Sequence, residues 1–251
     1  MILGNGRPNG YTPCEQCPLR KRPALREFSA EELAFVKTLK TDELHVDAGA
    51  SFLREGTRAD YLYTVLTGWA FRYKMLDDGR RQILNYALPA DMLGLQGALM
   101  HEMEHSVEAL TPLVLCVFPR TKLWDLYSKL PSLAFDVTWL AAREEQLIDE
   151  HLLSLGRRTA LERAAYLLLH LFARAEEAGL VKNGSIQFPF TQQHLADTLG
   201  MSLVHTNKTL KRLFVTQAVR WKDRLFEIKD RAALASIAGS EVPKHRPRPF
   251  I

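Results

Sequence analysis

Two short runs carry residue types that could do chemistry. The first is YTPCEQCPLRKRP, in which two residues separate Cys14 from Cys17. Two thiolates at that spacing can turn toward one ion, so the pair reads either as half of a metal or cluster site or as two thiols on a loose tail. The second is HEMEH, His101 to His105, which matches the H-E-x-x-H pattern of zinc peptidases. That chemistry needs both histidines one turn apart on a helix, with a third ligand and an open cleft. Here the run follows a glycine-bearing turn between two strand-like segments, which predicts a loop or hairpin. A metal-dependent hydrolase using His101, Glu102 and His105 is therefore the remote reading. The one other cysteine, Cys116, lies in LVLCVFP, a setting in which cysteine usually serves as a small buried hydrophobe. Three cysteines are an odd number and too few for a disulfide framework, which points to a reducing compartment with free or metal-bound thiols.

The elements that would position these residues follow from composition and period. A chain of 251 residues, 47% apolar, can bury a substantial core and exceeds the usual single-domain size. No run approaches the roughly 18 to 20 apolar residues of a membrane helix, and MILGNGRPNG lacks the layout of a secretory signal, so a soluble cytoplasmic protein is expected. From Arg157 onward 16 basic residues face 8 acidic ones, a net of +8, whereas the preceding 156 residues carry a net of −4. A basic back half suits a polyanionic partner, most simply nucleic acid, although a solvated basic surface has the same charge.

Between Leu44 and Pro119 short alternating apolar runs are separated by turn residues, with Asp-Asp-Gly at 77 to 79 a strong hairpin signal. This predicts a sandwich or jelly roll. After Pro119 the period changes. RTKLWDLYSKL reads as a short helix, and Leu133, Val137, Leu140, Leu147, Ile148, Leu152 and Leu155 mark one face of a long one. That stripe either packs on its own roll or pairs with a second copy. TALERAAYLLLHLFARAEEAG is a further amphipathic helix, and the tail VPKHRPRPF reads as basic, extended and mobile.

The most specific chemistry lies in FTQQHLADTLGMSLVHTNKTLKRLF. Thr191 and Ser202 can cap two successive helices, Ala196 permits their close crossing, and Gly200 permits the left-handed turn between them. Leu195, Leu199, Met201 and Leu210 supply the apolar contacts, and AVRWKDRLFEIKD supplies a wing. The second helix then presents Val204, His205, Asn207, Lys208 and Lys211. Lys208 can donate to a guanine edge, His205 or Asn207 can read a neighbouring one, and Leu203 and Val204 can meet thymine methyls. Thr191, Gln192, Ser202, Lys222 and Arg224 are candidate phosphate contacts.

In this order of elements the chain resembles the Crp/Fnr superfamily of bacterial transcription regulators, nearer the Fnr- and FixK-like branches. The resemblance spans essentially the whole length. It is carried by AGASFLREGTRADYLYTVLTGWAFRYKMLDDGRRQI, PADMLG, LGRRTALERAAYLLL and TQQHLADTLGMSLVHTNKTLKRL. It implies an α+β chain: an N-terminal double-stranded β-helix (a jelly roll of the cyclic-nucleotide-binding type), a long dimerisation helix and a C-terminal winged helix-turn-helix. The expected boundaries are a cysteine-bearing segment 1–27, a sensory roll 28–130, the dimerisation helix 131–156, the DNA-binding domain 157–238 and a flexible tail 239–251. A homodimer paired through 133–155 would bind a palindromic operator in double-stranded DNA and act with RNA polymerase, with no membrane and no catalysis.

The resemblance also bears on effectors. In the cyclic-nucleotide branch a glutamate and an arginine-hydroxyl pair hold the ligand; here Leu95 and His105-Ser106 stand at those positions, which argues against cyclic AMP. In the oxygen-sensing branch cysteines hold an iron-sulfur cluster. Cys14, Cys17 and Cys116 match three such positions, and Pro23 stands where a further N-terminal ligand would be. Three states stay open: a cluster or other metal on these thiols, a thiol redox switch, and an effector-independent regulator without cofactor.

Overall fold

The computed structural model describes residues 11–243 and 247–251; the first ten residues of the cysteine-bearing segment and 244–246 of the tail lie outside them. Helix α1 (Ala30–Leu39) leads into eight roll strands: β1 (Asp42–Val46), β2 (Ser51–Leu53), β3 (Tyr61–Thr67), β4 (Ala70–Met75), β5 (Arg81–Ala87), β6 (Met92–Leu93), β7 (Ser106–Ala109) and β8 (Leu113–Pro119), with α2 (Leu95–Met100) after β6. They form two antiparallel sheets, ordered β1-β8-β3-β6 and β2-β7-β4-β5. The Asp77-Asp78-Gly79 turn joins β4 to β5. Side chains alternate across a strand, so Tyr63 and Val65 of β3 and Leu113, Leu115 and Val117 of β8 fill the interior between the sheets. Their neighbours Leu62, Leu66, Cys116 and Phe118 go to the outer face, where another apolar cluster covers them. Both faces of β3 and β8 are thus buried, the physical reason that YLYTVLT and LVLCVFP read as near-continuous apolar runs.

Gly68, between β3 and β4, has φ +90°, and a methyl group added there would lie 2.3 Å from the Pro112 carbonyl oxygen. Left-handed strain and overpacking against immobile backbone then add. Gly68→Ala is expected to lower unfolding free energy by about 2–4 kcal/mol, read as a shifted urea midpoint at unchanged slope.

Helices α3 (Leu123–Lys129) and α4 (Pro131–Arg157) follow the roll. Leu133, Ala134 and Val137 of α4 are buried against the roll's outer face. Further along, Ile148, Leu152 and Leu153 are exposed, as is Phe135 near the start. A capping box starts α5 (Ala160–Glu177), with Thr159 Oγ1 accepting from the Glu162 amide and the Glu162 carboxylate accepting from the Thr159 amide. Beyond it come β9 (Ser185–Gln187), α6 (Gln192–Leu199), α7 (Leu203–Val215), β10 (Val219–Lys222), β11 (Leu225–Ile228) and α8 (Arg231–Ala238), the strands ordered β10-β11-β9.

Residues 247–251 of the tail depart from the expected mobility. Arg248, Phe250 and Ile251 are 3–4% exposed and lie against the roll and the segment before α1. The cause is a buried carboxylate, Asp91, and an apolar recess that its basic, proline-rich composition did not disclose.

Candidate nucleic-acid interface

Thr191 Oγ1 accepts from the His194 amide at 3.2 Å and so caps α6, while His194 Nδ1 accepts from the Thr191 amide. Gly200 turns the chain with φ +61°, and Ser202 Oγ accepts from the His205 amide at 3.3 Å to start α7. Ala196 is fully buried at the crossing, and Leu195, Leu199 and Leu210 are buried beneath it, with Met201 packed at their edge. These local choices hold α7 with Thr206, Thr209, Leu210 and Leu213 inward.

The opposite face is open. Leu203, Val204, His205, Lys208 and Lys211 are exposed, with Thr191, Gln192 and Ser202 exposed at the helix starts. Asn207 differs from its expected outward placement: it is half-buried, with its side-chain oxygen out of solvent. The helical angle explains this, because position 207 sits at the seam between the 203, 204, 208, 211 face and the buried side. Lys222 and Arg224 are exposed at the tip of the β10–β11 hairpin, whose two loop residues, Asp223 and Arg224, both have positive φ. Exposed Arg212 and Arg220 extend the same cationic surface. They were missed in the sequence although the charge count contained them; Arg212 continues the i, i+4 row from Val204 through Lys208.

The module is docked on the roll. The buried Tyr86 hydroxyl shares a 2.7 Å hydrogen bond with Thr198 Oγ1, Gln82 donates to the Thr198 carbonyl at 3.0 Å, and Arg81 pairs with Asp197 at 2.8 Å. From α5, Arg174 donates to Asn85 Oδ1, the Tyr86 carbonyl and Asp91 at 2.7–2.8 Å. Trp69 meets Phe188 and Phe190 edge-on. A cavity of about 570 Å³ opens between the roll and α4, lined by Arg72, Gly94, Leu95, His105, Glu144 and Arg248 among others. Its guanidiniums are already engaged: Arg72 with Glu144, Arg143 with Glu177 and Arg248 with Asp91. Burial and the nearby Arg72 push the His105 imidazole down to about 4, so it is neutral at pH 7.

Cys14, Cys17 and Cys116 line one small recess together with Phe118, Phe250 and Ile251, and all three are free thiols. Burial pushes the Cys116 thiol up to about 12, with Lys40 opposing, and burial also raises Cys14. Among the described residues no group of three or more His, Cys, Asp or Glu side chains is placed to hold a metal ion. The recess is only about 20 Å³, so this arrangement fits protonated thiols and not a cluster. The HEMEH run is not helical: His101 has φ +78°, Glu102 bridges Arg58, and Met103 is buried. The two histidines therefore lack the one-turn spacing that peptidase chemistry requires.

A roll joined by a long helix to a capped, wing-flanked helix-turn-helix with an open cationic face is the build of a DNA-binding transcription regulator. Residues 43–129 match the cyclic nucleotide-binding domain model and residues 162–237 the Crp-like helix-turn-helix domain model. The transcriptional activator protein FnrL of Cereibacter sphaeroides is 31% identical over 204 residues, 80% of this chain and 81% of that one. The nitrogen fixation regulation protein FixK of Bradyrhizobium diazoefficiens is 31% identical over 208 residues, 82% and 85% of the two chains. The solved structure of FixK2 from Bradyrhizobium japonicum superposes with a TM-score of 0.72 at 26% identity, covering 82% of this chain and all of that one. This chain belongs to the Crp/Fnr family. It is a transcription regulator that binds DNA through its helix-turn-helix, and not an enzyme. Among the described residues no helix is long and apolar enough to cross a membrane.

Proposed function

We propose that this chain works in the cytoplasm as a homodimer that reads a palindromic operator. Residues 28–130 form its sensory module, 131–156 its pairing helix and 157–238 its DNA reader. The observation that carries this reading is the uncovered apolar stretch of α4, Ile148, Leu152 and Leu153, leading straight into a module whose α7 cations face solvent. Pairing two such helices places two recognition helices about a symmetry axis, which matches half-sites about 10 base pairs apart. Selection from randomised duplexes should therefore yield an inverted repeat; recovery of single half-sites with no symmetric partner would sink the dimeric reading. The relatives named as activators support RNA polymerase as the further partner.

Lys208 is the proposed base reader, with His205, Leu203 and Val204 beside it and Asn207 restricted by its half-burial. Phosphate contacts fall to Thr191, Gln192, Ser202, Lys211, Lys222 and Arg224. Lys208→Ala is expected to weaken binding to the selected operator by about 1–3 kcal/mol while leaving random duplex nearly unchanged. Equal loss on both, with a shallower salt dependence, would make Lys208 a phosphate contact.

For effectors, the engaged arginines and the neutral His105 support a roll that does not take cyclic AMP, because a buried phosphate would find no free guanidinium among the described lining residues. The convergence of Cys14, Cys17 and Cys116 on one recess supports a thiol redox response that acts only when the recess opens, because burial raises the Cys14 and Cys116 thiols away from the reactive thiolate while they are covered. The raised, protonated thiols of Cys14 and Cys116 favour a second reading, an effector-independent regulator. Anaerobic purification with iron and zinc analysis, followed by operator binding with and without a thiol oxidant, separates them. Iron with visible absorption would restore the cluster, and operator binding that ignores oxidant would leave the effector-independent regulator.

A further inference from the structure

The tail segment 247–251 closes a loop in space. The DNA-binding module leaves the roll through α4, and the chain beyond α8 returns to it. The Arg248 amide donates to the Ala24 carbonyl at 2.9 Å and the Arg26 amide donates to the Arg248 carbonyl at 3.0 Å, a parallel bridge around Leu25. Phe250 stacks on Phe28 with ring centroids 4.7 Å apart, and Thr64 Oγ1 of β3 donates to the backbone oxygen of Ile251. Arg248 pairs with Asp91 at 3.0 Å and donates to the Pro89 and Ala90 carbonyls. Prolines at 247 and 249 hold the backbone extended in advance, which lowers the entropy lost on docking.

Two consequences follow from where this segment sits. Phe250 and Ile251 form one wall of the recess lined by Cys14, Cys17 and Cys116, so the docked segment covers the buried Cys116 on that side while Cys14 and Cys17 stay partly exposed. Asp91 takes Arg248 on one carboxylate oxygen and Arg174 of α5 on the other, so the same group holds the tail and the DNA-binding module. We propose that residues 247–251 are a strap, an intramolecular ligand of the roll that seals the cysteine recess and restrains the DNA-binding module through Asp91. Occupation or modification of the recess and docking of the strap then exclude each other. By linkage, whatever enters the recess weakens strap docking by the same free energy with which the strap resists entry, and the module is loosened to the extent that the strap restrains it.

The test uses the full chain with Cys14→Ser and Cys17→Ser, leaving Cys116 as the reporter thiol, and dithionitrobenzoate as the probe. Removing residues 247–251 should accelerate Cys116 labelling by about tenfold or more, since reaction then no longer waits for local opening. Phe250→Ala, the milder change, should accelerate it less but clearly, and serves if the truncated chain does not fold. Labelling rates within about twofold of the parent in a folded variant would overturn the seal. Hydrogen exchange reads the second half: Arg248→Ala should speed exchange in α6, which packs on β5 far from the recess. Unchanged α6 protection would overturn the restraint.

Discussion

Asp91→Ala is expected to cost about 3–5 kcal/mol of folding stability at pH 7, because it leaves two buried guanidiniums without their shared carboxylate. Arg174 and Arg248 are only 11% and 4% exposed, so water from the adjoining cavity replaces the lost partner only in part. Burial alone would raise the Asp91 carboxyl, but Arg174, Arg248 and the Leu88 amide outweigh it and hold it below its ordinary value. A depressed carboxyl contributes stability that is present above its unfolded pKa, about 4, and is lost as pH falls through the folded value. The Asp91 contribution should therefore be intact at pH 5 and decay only below about 4. The histidines behave differently. Burial depresses both His105 and His170 to about 4, so the unfolded chain binds protons that the folded chain refuses between pH 6.5 and 4. Parent and Asp91→Ala should lose stability in parallel across that window and converge only below it. Urea midpoints at pH 7, 5 and 3.5 check this; a difference that vanishes by pH 5 would refute the assignment.

How far the sequence disclosed this structure depends on whether the determining interaction was local. The helix-turn-helix was legible because its caps and turn lie within a dozen positions: Thr191, Gly200 and Ser202 each act on amides or backbone angles beside them. The long helix showed for the same reason, its stripe being periodic. Cys116 was readable as buried, and alternation along β8 explains why it faces the N-terminal cysteines and not the roll interior. The tail was misread since its partners are remote. Asp91 lies 157 positions before Arg248, and nothing in VPKHRPRPF marks which arginine finds a buried carboxylate. Asn207 failed on a finer scale, where a helical face shades into its buried side within a fraction of a turn.

Leu152→Asp is expected to convert the protein to monomers and reduce operator affinity by about 10²–10⁴-fold. Leu152 is 68% exposed in the single chain, so the substitution removes little contact within it and should leave the fold and melting of an isolated chain nearly unchanged. In a paired seam the same carboxylate would sit among apolar side chains of both copies, twice over by symmetry. Without pairing, each recognition helix binds one half-site, and the second binding event loses the high effective concentration that the α4 seam gives it. The size of the loss follows from geometry and not from any missing DNA contact, since Lys208 and its neighbours are untouched. Sedimentation velocity and operator titration on the same preparation decide it. A monomer that keeps full operator affinity would place the reading of symmetry elsewhere, and a Leu152→Asp protein that remains dimeric would move the seam off this face of α4.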